Sequence, residues 1–297
     1  MRLLVFGSTN IDDVYRVERF VREGETIDSA SYERHEGGKG LNQSIALAKA
    51  GMPVSFAGAV GKDGVSLLEY LQSCGVDTAY ARVMDVPTGH AIIQVDGAGR
   101  NCIILYGGAN RAVSTGMIDS VLEGFGEGDG ILMQNEISNV GYIMKAARAR
   151  GMKVFFNASP ITADINELPL DQVSLFLINE IEGCGLTGFT EPDQILDAML
   201  TKYPQSDVLL TLGDKGAVYA GPTVRAWQPA IPVKAVDSTG AGDTFTGYFL
   251  RSALDGHLIE VALLRAAHAA SIAVGRPGAG QSIPYPDEVD KALDGYK

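Results

Sequence analysis

The sequence predicts an α/β protein: a mostly parallel central sheet with helices on both faces, plus a small β lid. Three observations carry this. Short apolar runs alternate with helical stretches that end at glycine, the pattern of parallel strands joined by crossover helices. Two segments break the alternation with strand-like or polar character. Late in the chain a glycine-rich turn enters a helix that carries an acid in its first turn.

The elements follow in order. Arg2 to Phe6 is a buried strand ending in the turn Gly7-Ser8-Thr9-Asn10. Asn42 to Ala50 has helical composition, with Gly51 just past its end, where glycine is favoured. Pro53 to Val60 reads as a strand. Asp63 suits the N-cap of a helix with Val65, Leu68 and Leu71 on one face, closed by Gly75. Ile131 to Met133 is a strand, Ser138 to Arg150 a helix, and Lys153 to Phe156 and Leu175 to Ile178 are strands. Pro192 to Tyr203 is a helix, Val208 to Leu212 a strand, and helices from Ala241 and Leu258 end the core. Ligands on such a sheet sit beyond the carboxyl ends of its strands.

Asp13 to Glu36 is polar, β-branched in places, and lacks a helical period. Gly89 to Gly107 reads as a hairpin, His90 to Val95 and Asn101 to Tyr106 around Asp96-Gly97-Ala98-Gly99. Residues 1–12, 37–88 and 107–297 are therefore expected to form the core, and 13–36 and 89–106 the lid. An exposed lid sheet is a surface on which a second copy pairs, so a homodimer through the lid is expected. Gly124 to Gly130 is also glycine-rich, but it precedes a strand instead of following one, and reads as a surface turn.

Composition narrows the function. In 297 residues, 24 Lys and Arg face 36 Asp and Glu, a net charge of −12, which argues against a general nucleic-acid or anionic-membrane binder. Hydrophobic residues make up 46%, enough for a core that needs no staples. Cys74, Cys102 and Cys184 are scattered without CxxC spacing, which speaks against a disulfide framework or structural zinc. His35, His90, His257 and His268 do not cluster at ligand spacing. No run has the length of a membrane helix or the layout of a signal peptide, so a cytoplasmic protein is expected.

The chemistry concentrates in Asp237-Ser-Thr-Gly240-Ala241-Gly242-Asp243-Thr-Phe. A strand-like segment, Ile231 to Val236, enters it, and a helix, Thr244 to Leu254, leaves it. The glycines let the backbone approach a ligand, and the helix start offers N–H groups and a positive dipole end to an anion. Gly38-Lys39-Gly40 lacks the Ser or Thr that would complete a Walker loop. An acid beside an anion site is hard to explain by binding, because two anions repel. Asp243 makes sense there as a base that takes the proton of an alcohol while the alcohol attacks a phosphoryl group. It also makes sense as an acid that stabilises a helix start, and this segment alone leaves both readings open.

The same stretch resembles the C-terminal signature of the ribokinase-like (PfkB) carbohydrate kinases. Gly37-Gly38-Lys39-Gly40-Leu41-Asn42-Gln43 resembles their N-terminal signature, and Gly7-Ser8-Thr9-Asn10-Ile11-Asp12 their opening strand and turn. Gly24-Glu25-Thr26, Val60-Gly61-Lys62-Asp63, Thr88-Gly89 and Gly108-Ala109-Asn110 follow in the family's order, so the resemblance covers nearly the whole chain.

The resemblance implies ATP-dependent transfer of the γ-phosphoryl group to the primary hydroxyl of a pentose, D-ribose to D-ribose 5-phosphate first. A ketohexose, deoxyribose or a nucleoside are the alternatives within the family. A non-catalytic sugar or nucleotide sensor is the alternative outside catalysis; it would have no need to keep Asp243, Gly242 and Glu182 together. The resemblance makes Asp243 the base and Gly240, Ala241 and Gly242 the anion hole. It implies sugar contacts from Asn10, Asp12, Gly38, Lys39, Asn42 and Glu136. It places Asn179, Thr211, Gly213, Gly216 and Gly242 on the nucleotide side. Glu182 of Asn179-Glu-Ile-Glu182 would hold Mg²⁺ through water. Asp237, Thr239, Ala273, Arg276, Gly278 and Ser282 would surround K⁺. The chain departs from the family at Leu41, where alanine is common, at Asn135, where an apolar residue is expected, and before Gly24, where prolines are missing.

Overall fold

The computed structural model describes residues 1–295. β1 (Leu3–Phe6) is fully buried, and β2 (Asn10–Arg16) and β3 (Ser31–Gly37) leave the core as one arm of the lid. α1 (Lys39–Lys49) returns to it and leads into β4 (Val54–Ala57). β5 (Ala59–Gly61), α2 (Val65–Ser73) and β6 (Arg82–Met84) follow, then the second lid arm, β7 (Gly89–Val95) and β8 (Asn101–Tyr106). α3 (Thr115–Leu122), β9 (Gly130–Gln134), α4 (Val140–Ala149), β10 (Lys153–Asn157) and β11 (Leu175–Asn179) continue the alternation. α5 (Glu180–Thr187), α6 (Pro192–Lys202) and β12 (Asp207–Thr211) precede the hairpin of β13 (Ala217–Ala220) and β14 (Arg225–Gln228). α7 (Ala241–Leu254), α8 (Ile259–Val274) and α9 (Pro286–Asp294) close the chain.

The central sheet has eight strands in the order β14-β13-β12-β11-β10-β9-β1-β4. From β12 to β4 all pairs are parallel, and the β13–β14 hairpin adds an antiparallel edge. β1 shows why its sequence is apolar throughout: Leu4 and Phe6 enter the core on one face, Leu3 and Val5 the core on the other. The lid is a separate four-stranded sheet, β3-β2-β7-β8.

Several expectations need correction. Asn10, Ile11 and Asp12 lie in the lid sheet, not the core, because Asn10 pairs with Gly37 on one side and Gly89 on the other. β3, on the same arm, likewise runs on to Gly37, past the expected boundary at 36. The expected core extended to residue 297, and its last two residues lie outside the described residues. The strand over Pro53 to Val60 is two strands in different sheets, broken at Gly58. α2 buries Leu67 and Leu71 and leaves Val65 exposed, and Asp63 accepts from Thr88 N (3.0 Å) and Oγ1 (2.7 Å) instead of capping the helix. Ile231 to Val236 forms no strand. Pro232 removes a ladder donor in its midst, and Val233 and Val236 are exposed. Among the described residues no helix is long and apolar enough to cross a membrane.

Candidate active site

A pocket of about 250 Å³ opens at the carboxyl ends of β10, β11 and β12 and is closed from the other side by the start of α7. Its lining includes Asn157, Asn179, Glu182, Thr211, Lys39 and Asp243. α7 begins at Gly240, whose left-handed backbone (φ 74°) turns the chain into the helix and suits glycine. Asp243 is the third residue of α7 and is 9% exposed. The turn ties back Ala241, whose N–H donates to Ser238 O (3.2 Å), so Ala241 is not a free donor as expected. The anion-facing donors of this first turn are Gly242 and Asp243, which sit too early in the helix to find an acceptor within it. Gly242 is exposed, with open space where a side chain would stand.

The carboxylate of Asp243 is held from α1. Gln43 Nε2 donates to Oδ1 (2.9 Å) and Asn42 Nδ2 to Oδ2 (3.3 Å). This reach depends on how closely the two helices approach. A Cβ on Gly247 would fall 2.7 Å from the carbonyl carbon of Ala46, so only glycine allows the contact one turn below Asp243. Burial pushes the Asp243 carboxyl above its ordinary range, against the charge of Lys39 and the donors on Gln43 and Asn42, which oppose the shift. Lys39 opens α1 and lines the same pocket. Burial lowers its ammonium, but the carboxylates of Asp243, Glu136 and Glu182 outweigh this and hold it above its usual value. Lys39, expected among the sugar contacts, thus also reaches the pocket at the start of α7.

The residues expected to contact a sugar gather where the lid meets the core. Asn10 is buried, and its Oδ1 accepts from Asn110 Nδ2 (2.8 Å). Asn110 also takes Thr9 N (3.2 Å) on its own oxygen and so fixes the start of β2. Asp12 has its carboxyl raised to about 6 by burial first and by the nearby charge of Glu136 second. Glu136 accepts on one oxygen from Lys39 N (3.1 Å) and from the Ser8 hydroxyl, joining the ends of β1 and β9 to the start of α1. Gly38 has a positive φ of 94°, and a Cβ placed on it would lie about 3 Å from the Thr9 and Asn10 backbone, so the close approach here needs glycine. Asn42 keeps Oδ1 buried without a protein donor, an acceptor left for a hydroxyl.

Of the residues expected on the nucleotide and Mg²⁺ side, Asn179 and Glu182 form a reciprocal capping box at the start of α5. Glu182 N donates to Asn179 Oδ1 (2.9 Å), and Glu182 accepts from Asn179 N (2.9 Å) and Nδ2 (3.1 Å). Thr211 lines the pocket from the end of β12. Gly213 is exposed beside it, in the single helical turn Gly213–Lys215. Gly216 does not face the pocket: a Cβ there would strike the backbone of Gln228 and lie 2.8 Å from Ala230 N, so its glycine serves the close passage of two chain segments.

The loops around the expected K⁺ site come together on Asp237. Its Oδ1 accepts from Thr239 N (2.9 Å) and Oγ1 (2.6 Å), and its Oδ2 from Gly278 N (3.0 Å). Burial raises its carboxyl, but these donors win and leave it below the usual range. Ser282 Oγ donates to Ala279 O (2.7 Å), and Arg276 N donates to Ala273 O (3.0 Å) while its guanidinium pairs with Glu288. Asp237, Thr239 and Ser282 bring side-chain oxygens to these loops, a donor type that suits a hard monovalent ion. For Mg²⁺ the fit is different. Among the described residues no group of three or more His, Cys, Asp or Glu stands where it could hold a metal ion, and one buried carboxylate, Glu182, lines the pocket opposite Asp243. Such a donor set fits a hydrated cation carried by a triphosphate.

Three polar residues escaped the sequence reading: Gln43, Gln134 and Asn157. Gln43 lies inside a buried helix, and Gln134 and Asn157 each end a strand of the central sheet.

The description of the pfkB family carbohydrate kinases matches residues 1–286, and the chain belongs to that family. It is 37% identical to the ribokinase of Arabidopsis thaliana over 98% of this chain and 80% of that one. It is 34% identical to the bifunctional ribokinase/ribose-5-phosphate isomerase A of Fructilactobacillus sanfranciscensis over 95% of this chain, spanning 54% of that longer protein. The structure of Arabidopsis thaliana ribokinase complexed with ribose and ATP superposes with a TM-score of 0.88 at 34% identity, covering 98% of each chain.

Proposed function

We propose that this protein is an ATP-dependent sugar kinase that converts D-ribose to D-ribose 5-phosphate. The observation that carries the reading is the place of Asp243. A buried carboxylate stands at the start of α7, with sugar-side residues on α1 and the lid to one side and the phosphate pocket to the other. The relatives named ribokinase, and the solved relative holding ribose and ATP, support ribose as acceptor and ATP as donor.

The sugar lies under the lid, held by Asn10, Asp12 and Asn42, with Gly38, Lys39 and Glu136 at its border. Its primary hydroxyl points at Asp243. The hydroxyl oxygen bonds to the γ-phosphorus as the bond from that phosphorus to the β,γ-bridging oxygen breaks, and ADP leaves. The hydroxyl proton passes to Asp243, late in the step, because an alcohol is a weak acid until its oxygen begins to bond. A carboxyl raised by burial suits a base that must hold this proton and then release it to water. The N–H groups of Gly242 and Asp243 and the Lys39 ammonium face the charge on the transferring group. Bound with ATP, Mg²⁺ would neutralise charge on the phosphate oxygens, and Glu182 would hold it through water. Asp237, Thr239 and Ser282, with carbonyls near Ala273, Arg276 and Gly278, would hold K⁺ beside the anion hole. We read the protein as cytoplasmic and the lid sheet as its dimer surface.

A coupled ADP-release assay over pentoses, ketohexoses, deoxyribose and nucleosides, with and without K⁺, tests the reading. Ribose is expected to give the highest kcat/KM. Asp243→Asn is expected to lower kcat by about 10²–10⁴-fold, the worth of a positioned base, while ribose binding by calorimetry stays near wild type. Wild-type turnover in that variant would remove Asp243 as the base.

A further inference from the structure

Behind Asp243 stands a short chain of amides that the reaction above does not use. Gln43 on α1 and Gln134 at the end of β9 are both fully buried. Gln134 Nε2 donates to Gln43 Oε1 (2.6 Å), and Gln43 Nε2 donates to Asp243 Oδ1 (2.9 Å). A primary amide has a donor end and an acceptor end, and half a turn about its last torsion exchanges them. Which end of Gln43 meets the carboxylate therefore depends on what holds the other end. The Gln134 donor occupies the Gln43 oxygen and leaves only the nitrogen for Asp243. Turned over, Gln43 would set its oxygen against an ionised carboxylate and its NH₂ against the NH₂ of Gln134, two repulsive contacts in a dry interior.

Two further observations separate this chain from ordinary core filling. The space for Gln134 is reserved by glycine: a Cβ on Gly7 would land on Gln134 Oε1 and lie 2.7 Å from the Cα of Gly40. And Gln134 Oε1 is buried without a hydrogen-bond donor. A fold that needed only volume there would be better served by an apolar side chain, since a buried unmatched carbonyl oxygen is unfavourable. Such a deficit is tolerated where function needs the group.

We propose that Gln43 and Gln134 are positioning residues that hold Asp243 ionised and aimed, Gln134 acting by fixing which end of Gln43 faces the base. This rests on Asp243 being the base. The charged groups that face Asp243 are Lys39 at the start of α1 and, across the pocket, Glu182 at the start of α5. Neither is altered in the test. Asp12 titrates in the sugar pocket, so the readout is kcat at saturating ribose and ATP, where its effect on binding drops out.

The experiment compares Gln43→Met, Gln134→Met, Gln43→Glu, Gln134→Glu and Asp243→Asn, each followed by kcat against pH, by KM for ribose and ATP, and by thermal unfolding. Gln43→Met is expected to lower kcat at neutral pH roughly tenfold, the loss of one hydrogen bond to a charged group, with both KM values within about threefold. Removing a donor that favours the ionised form raises the proton affinity of the base, so the acid limb of kcat moves to higher pH by about one unit. Gln43→Glu keeps the shape and moves the limb further, because two carboxylates then share a proton. Gln134→Met and Gln134→Glu are expected to give the same direction with smaller size, although neither touches Asp243.

An acid limb left in place in all four Gln variants overturns the proposal, whatever happens to stability. So does a loss confined to ribose KM. Should a Met variant fold poorly, the isosteric Glu variants decide on the same limb. The two readings fail separately: an active Asp243→Asn removes the base itself, whereas an inactive Asp243→Asn beside unmoved Gln variants removes only the amide chain.

Discussion

If Asp12 holds the sugar as proposed, a single side chain links pH to substrate. Its carboxyl is raised to about 6 because the lid strand turns it into a poorly solvated space near Glu136. As a sugar ligand it is useful ionised, when it accepts from two hydroxyls. Ribose KM is therefore expected to stay flat above about pH 7 and to climb below about pH 6, approaching tenfold per unit once the carboxyl is protonated. Asp12→Asn should bind ribose more weakly but with a KM that no longer follows pH over this range; a wild-type KM flat down to pH 5 would remove Asp12 from the pocket. Stability runs the other way. The folded state holds this proton more tightly than the unfolded chain, so the contribution is fully present below the unfolded value and is lost as pH rises through about 6. Asp12→Asn should therefore raise the thermal midpoint at pH 8, as expected where binding takes precedence over stability. At this scale the residues that lie within a motif, Asp243, Asn42 and Asn10, were legible in the sequence. Gln134 was not, because it meets Gln43 across 91 residues of sequence and nothing local signals that meeting.

At the scale of elements, the pairing of α1 with α7 makes the site. Each helix carries half of it: Lys39, Asn42 and Gln43 on one, Gly242 and Asp243 on the other. Their approach is set by Ala46 and Gly247, where an added Cβ would lie 2.7 Å from the Ala46 carbonyl carbon. Gly247→Ala should separate the helices, cost about 1–3 kcal/mol of stability as overpacking does, and lower kcat through longer Asn42 and Gln43 contacts. Denaturant unfolding and turnover measured together check it; an unchanged kcat in a destabilised Gly247→Ala would mean that the site tolerates the spacing. The sequence reveals the helices but not this contact, since one glycine in a helix resembles any other weak point. Other elements depart from their sequence pattern for physical reasons. Ile231 to Val236 has strand composition, yet Pro232 removes the hydrogen bond that a strand would need. β13 and β14 are four residues each, too short to show a period. α5 hides its start in Asn179-Glu-Ile-Glu182, whose capping box was read only as a nucleotide motif.

For the whole molecule, the question is what covers the lid. The alternation of strands and helices made the core legible, and the hairpin made the lid legible, but the lid's two faces emerge only from the pairing register. Asp12 stands opposite Ala91, Val14 opposite Ile93, Ile93 opposite Ile103 and Ala91 opposite Leu105, so all six share one face. That face carries the proposed sugar ligand Asp12 at one end and is apolar beyond it, and on β8 both Ile103 and Leu105 are at least half exposed. A second copy laid across this face would bury the apolar end and close the sugar end at once, which ties assembly to ribose retention. Leu105→Glu and Ile103→Glu should shift the sedimentation pattern from a two-chain to a one-chain species. Because Asp243 and the phosphate pocket lie on the core, kcat at saturating ribose should fall less than ribose affinity does. A wild type that sediments as one chain at assay concentration, or a Leu105→Glu dimer with unaltered ribose KM, would separate the lid from assembly and leave its apolar face to the sugar alone.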